Sequence, residues 1–563
     1  MSHKNDTNKF ENFIYGVLEK KSRKLLIFIL IFMAFVGSIM MIVNATVLVK
    51  MLPDKSANTF NIYIDTLVGS SIHQTEKVTE CVASVLQKNK YVTDIETYLG
   101  EGSPLNYAGL VKGSALKKGE QYAEMVVNLT DKKTRAATSF DIVHTLRPKI
   151  QERCQPENSA ATIRMIEMPA GPPMLAPLVV EVYGKDNQKI VSIAKQVASI
   201  LAVTDNLVDV NIMANRKYQQ YQLAVDTQKV ARAGLSVSQV KKILYLGFHG
   251  MQVATKNNID SNYEIPIYLQ LSKKSQLLQE DTLESLGLKL SALKLMNKKG
   301  LMIPLTEVVH ITKTESNPII YHKDLKTMVY VTAGTDKMSQ VYPLLEARKT
   351  MIDLFSSNDY IVTPKHEMST NMFDFELQDR YSGEKYLIHW DGEMKVTLDT
   401  FRDLGTAFIA ALLLIFVLFV IYYKSFAVSA MILGGSFLSI IGVIVGHWVA
   451  DLVTINTFYL TATSLIGFIA LMGISSRNSL LMIDFAKNLI DSGVEKRRAI
   501  AVASATRAKP IILTAIAIIL GSALLTSDPV FGGLGVALIS GTVVAVIVSL
   551  LFIPVLMDNT KSI

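Results

Sequence analysis

A run from Leu25 to Val49 is almost unbroken apolar and carries no charge until Lys50. That is about the length needed to cross a ~30 Å hydrocarbon core. A cleaved signal peptide has a shorter apolar region, a small-residue cleavage site and no preceding arm of more than about twenty residues, so the run reads as a retained anchor. Five further apolar stretches follow at about 403–423, 427–449, 457–483, 510–527 and 531–556. Together they predict a bundle of six spans with both termini on one side. The hydrophobic fraction, 50% of 563 residues, is likewise too high for an ordinary soluble protein.

Between the first and second spans, from about Met51 to Thr400, the chain turns polar and has no apolar run long enough to cross a bilayer. Lys20, Lys21, Arg23 and Lys24 precede the first span, Lys424 sits in a short turn, and Lys496, Arg497, Arg498, Arg507 and Lys509 lie between the fourth and fifth. The opposite short loops, His447 to Asn456 and Thr526 to Gly532, carry no Lys or Arg. Positive charge favours the cytoplasmic side, so the termini are expected there and the long loop in the periplasm or exterior. The net charge of +8 therefore reports topology rather than nucleic-acid binding.

Inside the long loop, strand-like and helix-like stretches alternate as βαβ units. Phe60–Thr66, Met125–Leu129 and Thr162–Ile166 read as strands of a first unit, with helices around 74–87 and 139–150. A second opens at Pro177–Tyr183 with a helix around 190–201, breaks off after Val210 and resumes at Met328–Thr332. The segment between has its own strands and helix and reads as an insertion. The predicted fold class is an α-helical membrane bundle of six spans plus α+β extramembrane subdomains.

Several classes of chemistry are excluded. No Walker motif, Ser/His/Asp grouping or pair of catalytic carboxylates is present, so no enzyme activity, nucleotide hydrolysis or cofactor is expected. The two cysteines, Cys81 and Cys154, have no metal-site spacing. They fall on or just after the two helices of the first unit. A disulfide and two buried thiols both fit that placement.

Several stretches, taken in order, resemble the resistance-nodulation-division pumps. KMLPDKSANTFNIYIDTLVGSSIHQTEKV (Lys50 to Val78) resembles the entry to the family's first C-terminal porter subdomain, and GPPMLAPLVVEVYG (Gly171 to Gly184) the opening of the second. YQLAVDTQKVARAGLSVSQV (Tyr221 to Val240) and MIPLTEVVHI (Met302 to Ile311) resemble the docking subdomain's start and return strand. GISSRNSLLMIDFAKNL (Gly473 to Leu489) and RAKPIILTAIAIILG (Arg507 to Gly521) resemble its paired membrane motifs. The resemblance implies a cytoplasmic arm at 1–24, a first span at 25–49, a first porter subdomain at 50–170, a second at 171–220 and 313–400, a docking insertion at 221–312, and a five-helix bundle at 401–563. Family members carry two such repeats, and only the second is recognisable here.

The resemblance further implies a multi-pass inner-membrane exporter of hydrophobic or amphiphilic compounds, in contact with membrane lipid and driven by proton antiport. Its expected partners are a separate polypeptide with the N-terminal half, a trimer of such units, a periplasmic adaptor and an outer-membrane channel. Arg477, Asn478, Thr514 and Arg507 fall at or beside the family's proton-relay positions. Arg477 replaces the family's lysine and keeps the charge but cannot shed its proton. The aspartate pair that takes up the proton belongs to the absent repeat, and Asp403, Asp451 and Asp484 lie near span ends. A charge within a span costs at least ~2.5 kcal/mol without a partner, so Arg477 is expected to face a carboxylate of another chain. Bland readings stand beside each role: snorkelling for Arg477, back-bonding for Thr514, a topology signal for Arg507. Metal export, with Met165, Met168 and Met174 as thioether ligands, is weakened by Ile64 and Asp65 where the first porter strand would need a methionine. A SecD/SecF-like accessory and a non-transporting fragment are the other rivals. Tyr107 and Phe248 suit a pocket or a core equally.

Overall fold

The computed structural model of the chain describes residues 2–104, 109, 114, 117–154, 161–167, 171, 174–214, 217–257, 259, 264–272, 282–317, 319–364 and 372–560. They form two compact units, one of Met1–Ala214 with Ile320–Ile563 and one of Asn215–Ile319. Tyr107 and Met168 lie outside the described residues.

Six helices of the first unit are long and apolar enough to cross a membrane: Lys21–Val43, Glu393–Tyr423, Phe426–Val453, Ala462–Asp491, Lys496–Ser527 and Gly532–Asn559. The first ends six residues earlier than its hydropathy suggests. Ala45 turns with φ 53°, and the chain then runs extended to bridge Val49 with Leu460. The third is interrupted between Phe437 and Ile440, where the Ser436 and Ser439 hydroxyls donate to the carbonyls of Ile432 and Ser436. The basic connector and the fifth span form one helix, Lys496–Ala523, with Pro510 inside it. Alanine-rich sequence favours helix, and Ala499, Ala501, Ala503 and Ala505 are buried, so this segment packs into the bundle rather than lying on the surface. A π-helical turn at Val548–Phe552 precedes Pro554, which has no N–H to return to a carbonyl four residues back.

The bundle is unevenly covered. In the central apolar windows of the third, fourth and sixth helices 61%, 56% and 50% of residues are buried, against 6%, 6% and 17% in the first, second and fifth. Close packing among the covered helices depends on small residues. A Cβ at Gly442 would collide with the Ser540 carbonyl and stand 2.8 Å from Val544 Cγ2. The first, fifth and sixth of these helices meet at one end of the bundle, where Asp558 pairs with Lys24 at 2.7 Å and Arg497 at 3.3 Å.

The extramembrane part of this unit has two lobes of the same plan. The first is a four-stranded antiparallel sheet in the order Val92–Glu101, Lys118–Leu129, Thr59–Asp65, Thr162–Ile166. Phe60, Ile62 and Ile64, spaced by two, share a core with Val82, Leu86, Leu146 and Ile150 of the helices Ile72–Leu86 and Ser139–Cys154. A disulfide joins those helices at Cys81 and Cys154. The plan is thus βαββαβ, a split βαβ arrangement. The strand absent from the sequence reading, Val92–Glu101, is a sheet edge with Thr93, Asp94, Glu96 and Thr97 exposed, and so lacks an apolar signal.

The second lobe repeats the order with Leu207–Met213, Lys326–Thr335, Leu178–Tyr183 and Lys385–Asp391, extended by the hairpin Tyr360–Pro364 and Phe375–Asp379. The unit Asn215–Ile319 enters between Leu207–Met213 and Lys326–Thr335. That unit pairs Gln219–Val225 with Val309–Glu315 around a core of Val230, Val240, Leu290, Leu305 and Val308. Phe248 packs against this core with the Lys289 ammonium 4.2 Å from its ring centroid, so it serves packing.

Candidate functional site

A cavity of about 140 Å³ opens where the two lobes of the first unit face each other. It is lined by residues of the stretches 50–55, 140–147, 164–167, 174–177 and 332–338, together with Asp209 and Glu393. Its walls mix apolar and charged groups. Met165, Met174 and Met338 contribute thioethers, and Leu52, Phe140 and Ile166 contribute hydrocarbon. Ile64, by contrast, is buried in the first lobe's core, and Asp65 pairs with Lys117 at 2.7 Å and with Arg164. Burial pushes the Asp65 carboxyl up, but those two cations outweigh it and hold the group below its usual range.

Most charges on the wall are matched. Lys50 pairs with Asp54 at 2.6 Å, Lys337 with Asp141 at 2.5 Å, and Arg147 with Asp209 at 3.4 Å and Asp336 at 3.3 Å. Glu167 has no ion pair or hydrogen bond among the described residues. Burial pushes its carboxyl up to about 7, Asp54 adds to the shift, and Arg147 opposes it. A carboxyl of this kind changes charge near neutrality at the wall of a cavity.

The consequence for stability has a definite sign. Between the ordinary glutamate value of 4.5 and about 7 the folded chain holds a proton on Glu167 that the unfolded chain has lost, so stability falls as pH rises through that window. Thermal unfolding of wild type and Glu167→Gln at pH 5 and pH 8 should show the substitution removing part of the pH dependence. Parallel pH profiles would contradict this assignment.

In the membrane bundle, the residues named from the relay motif are not brought together. Arg477 lies about half-way along Ala462–Asp491, on an exposed stripe with Ile466, Ala470, Gly473 and Leu481. It forms no ion pair or hydrogen bond with a described residue. Asn478 is buried on the packed side of the same helix. The Thr514 hydroxyl donates to the Pro510 carbonyl at 2.9 Å, which is back-bonding within its own helix. The Arg507 guanidinium sits 5.0 Å from the Phe485 ring centroid, its Nε buried without a hydrogen-bond partner among the described residues. The acids named near the span ends have partners of their own: Asp484 accepts from the Tyr423 hydroxyl at 2.8 Å, Asp451 from the Phe458 amide at 2.7 Å, and Asp403 from Arg402 at 3.0 Å.

Three residues of consequence escape the sequence reading: Glu167, Asp209 and His447. His447 reads as the start of a loop, yet it is fully buried in the helix Ile440–Val453. Its Nδ1 lies 2.7 Å from the Val443 carbonyl and its Nε2 2.8 Å from Ser464 Oγ. The carbonyl can only accept, so Nδ1 carries the hydrogen, and Ser464 donates to Nε2. A lone histidine amid apolar residues was the available signal.

The AcrB/AcrD/AcrF family matches residues 2–360 and 379–558. Swarming motility protein SwrC of Bacillus subtilis is 22% identical over 515 residues, covering 90% of this chain and 43% of its own length. Cobalt-zinc-cadmium resistance protein CzcA of Cupriavidus metallidurans is 22% identical over 387 residues, 67% of this chain and 33% of its own. The crystal structure of a heavy metal efflux pump superimposes with a TM-score of 0.72 at 18% identity, covering 97% of this chain and 51% of the pump, a likeness of fold. The chain therefore spans about half, or less, of the length of the proteins it matches. Two lobes of one plan, an inserted unit and six membrane helices lie within a match that runs almost from end to end, and the chain belongs to the AcrB/AcrD/AcrF family of resistance-nodulation-division permeases.

Proposed function

We propose that this chain is the C-terminal half of a proton-driven inner-membrane exporter and works with an N-terminal half that supplies the proton-binding carboxylates. The observation that carries this reading is Arg477, a permanent charge on an uncovered face of a membrane helix, without a carboxylate among the described residues. A guanidinium there is costly in lipid and stable against a carboxylate from another segment. The sparse coverage of the first, second and fifth membrane helices supports the same conclusion. The lobes stand on the periplasmic side in this reading and work by alternating access. The full assembly is a trimer joined to a periplasmic adaptor and an outer-membrane channel, as the family resemblance implies. The chain itself is not an enzyme.

Hydrophobic or amphiphilic compounds are the cargo that best suits a wall of hydrocarbon and charge, and Glu167 favours those with a cationic group. Metal export is the second reading. It is supported by Met165, Met174 and Met338 on the cavity wall and by the metal-resistance names of CzcA and the heavy metal efflux pump.

The test is efflux of a fluorescent cationic amphiphile from cells that carry this chain with and without a first-repeat half, beside tolerance to copper and zinc salts. Export only with both halves is expected, because the described spans hold no central carboxylate able to bind and release the driving proton. Proton-coupled export by the purified chain alone would show the half-transporter reading to be wrong. Tolerance confined to the metal salts would move the cargo to the second reading.

A further inference from the structure

Among the contacts that fasten the two lobes of the first unit across their junction, beside the Lys337–Asp141 pair, one centres on a buried carboxylate. Asp209 belongs to the second lobe, on the strand Leu207–Met213. The register of that strand against Lys326–Thr335 slips between Thr332 and Gly334, and Asp209 falls at the irregularity with φ 54°. Its side chain is only 4% exposed and turns away from its own sheet towards the first lobe. There Oδ2 accepts from the Met165 amide at 3.1 Å and from Arg147 Nε at 3.4 Å, and Oδ1 accepts from Gln151 Nε2 at 3.3 Å. All three donors are first-lobe groups, from the end of one strand and one face of the helix Ser139–Cys154. Beside this contact, Asp336 takes the other end of Arg147 at 3.3 Å and His144 Nδ1 at 2.6 Å.

A left-handed backbone is unfavourable for any residue with a Cβ, and aspartate is among the few that tolerate it. Such a conformation persists where the surroundings over-determine it, and a bulge is a common way to re-aim a side chain. Here the surroundings are the facing lobe. A buried, charged acceptor also makes the contact nearly all-or-none, since partial separation would strip Asp209 and Arg147 of partners before water could replace them. Arg147, Met165 and Asp209 are at the same time part of the cavity wall.

We infer that Asp209 is a positioning residue for transport, a latch that holds the two lobes closed over the cavity and must release the Met165 amide, Arg147 and Gln151 before the cavity opens. Cargo that engages Arg147 or the Met165–Glu167 strand end competes for the same donors, which couples occupancy to opening. What the latch gates rests on the alternating-access reading above. Its existence as a closing contact does not.

The test measures lobe separation in the purified full-length chain, by electron–electron dipolar spectroscopy between thiol-directed spin labels on Glu152→Cys and Lys195→Cys, one exposed position in each lobe. Cys81 and Cys154, being bonded, do not take the label. Asp209→Asn keeps tolerance of the left-handed backbone and one acceptor oxygen but loses the charge. Asp209→Gly relieves the backbone and removes every acceptor. The wild type should give one short separation. Asp209→Asn should raise the ratio of open to closed forms about ten-fold, the equivalent of one charge-assisted hydrogen bond, and Asp209→Gly should raise it further. A merely structural role would lower thermal stability and leave the distances alone. Wild-type separations in the folded Asn variant, or a wild type already open, would overturn the proposal. The measurement involves no transport, so failure of the export reading would show in the efflux assay and not here.

Discussion

Replacing Arg477 by alanine is expected to lower export by the assembled transporter ten-fold or more, at unchanged membrane abundance. The guanidinium stands mid-helix on a stripe that no described residue covers. If a carboxylate from the first repeat meets it there, the substitution leaves that carboxylate buried with no counter-charge. Breaking a buried pair in this way costs on the order of 3–5 kcal/mol, and the orphaned acid responds by keeping its proton. The cycle then stalls in the protonated state. Arg477→Lys should retain much of the activity, because a positive charge is what the proposed pairing requires. Thr514→Ala should reduce export moderately and Thr514→Ser little, since the hydroxyl must leave the Pro510 carbonyl to reach a partner across the interface. The measurement is efflux of a fluorescent amphiphile in cells carrying both halves, normalised to the amount of each chain in the membrane. Wild-type efflux from Arg477→Ala would reduce the residue to a snorkelling cation and remove the main support for a missing half.

The six spans were legible because each is an apolar run of membrane length, a property of consecutive residues. Their ends were less so. Val43 closes the first helix because residues 44–49 are drawn towards the Val49–Leu460 bridge, a contact between residues 411 apart in sequence. His447 sits inside a helix because Ser464 on the next span satisfies its ring nitrogen. The edge strand Val92–Glu101 has no apolar alternation to announce it, since one side of it meets water.

The cavity was less legible still. Its walls come from short stretches scattered between residues 50 and 393, some in helices or strands and some between them, and only the docking of two similar lobes makes them converge. Asp209 is a case in point. Nothing in the local run Leu207–Met213 marks its third residue as left-handed. The slip in pairing with Thr332 and Gly334 does that, and the pairing follows an insertion of about a hundred residues. The relay positions present the opposite situation. The resemblance singles out Arg477 and Thr514, yet the structure does not gather them: Thr514 bonds back to Pro510 and Arg477 stands on an exposed stripe.

Removing the charge of Lys323 is expected to cost the second lobe about 2–3 kcal/mol, a large share of the stability of a domain of this size. The ammonium lies 2.7 Å from Glu181 Oε1 and 2.6 Å from Asp391 Oδ2, and Glu181 is fully buried, with its other oxygen accepting from the Tyr183 hydroxyl at 2.6 Å. Burial pushes Glu181 up, while Lys323 and Tyr183 oppose the shift. Burial lowers Lys323, but the two carboxylates outweigh it and hold the ammonium above its usual range. Glu181, His389 and Asp391 present ligand atoms within 4.8 Å of one another, the arrangement of a cation site, and the cation this site holds is the lysine. His389 is itself engaged by Asp374 at 2.7 Å. Lys323→Met keeps the stem and deletes the charge, so it isolates electrostatics from packing. The loss is placed below the range for fully buried pairs because Lys323 remains about one-third exposed. With the ammonium gone, the two carboxylates repel unless one takes a proton, so the variant binds more protons when folded and its deficit should shrink as pH falls. Trp390 is fully buried in the same lobe and one of only two tryptophans, so its emission in a Trp448→Phe background follows this lobe alone. Denaturant midpoints at pH 8 and pH 5 then decide the matter: a large shift at pH 8 that narrows at pH 5 is the expected result, and a variant within about 0.5 kcal/mol of wild type at both would mean that the lysine contributes no more than an ordinary surface charge.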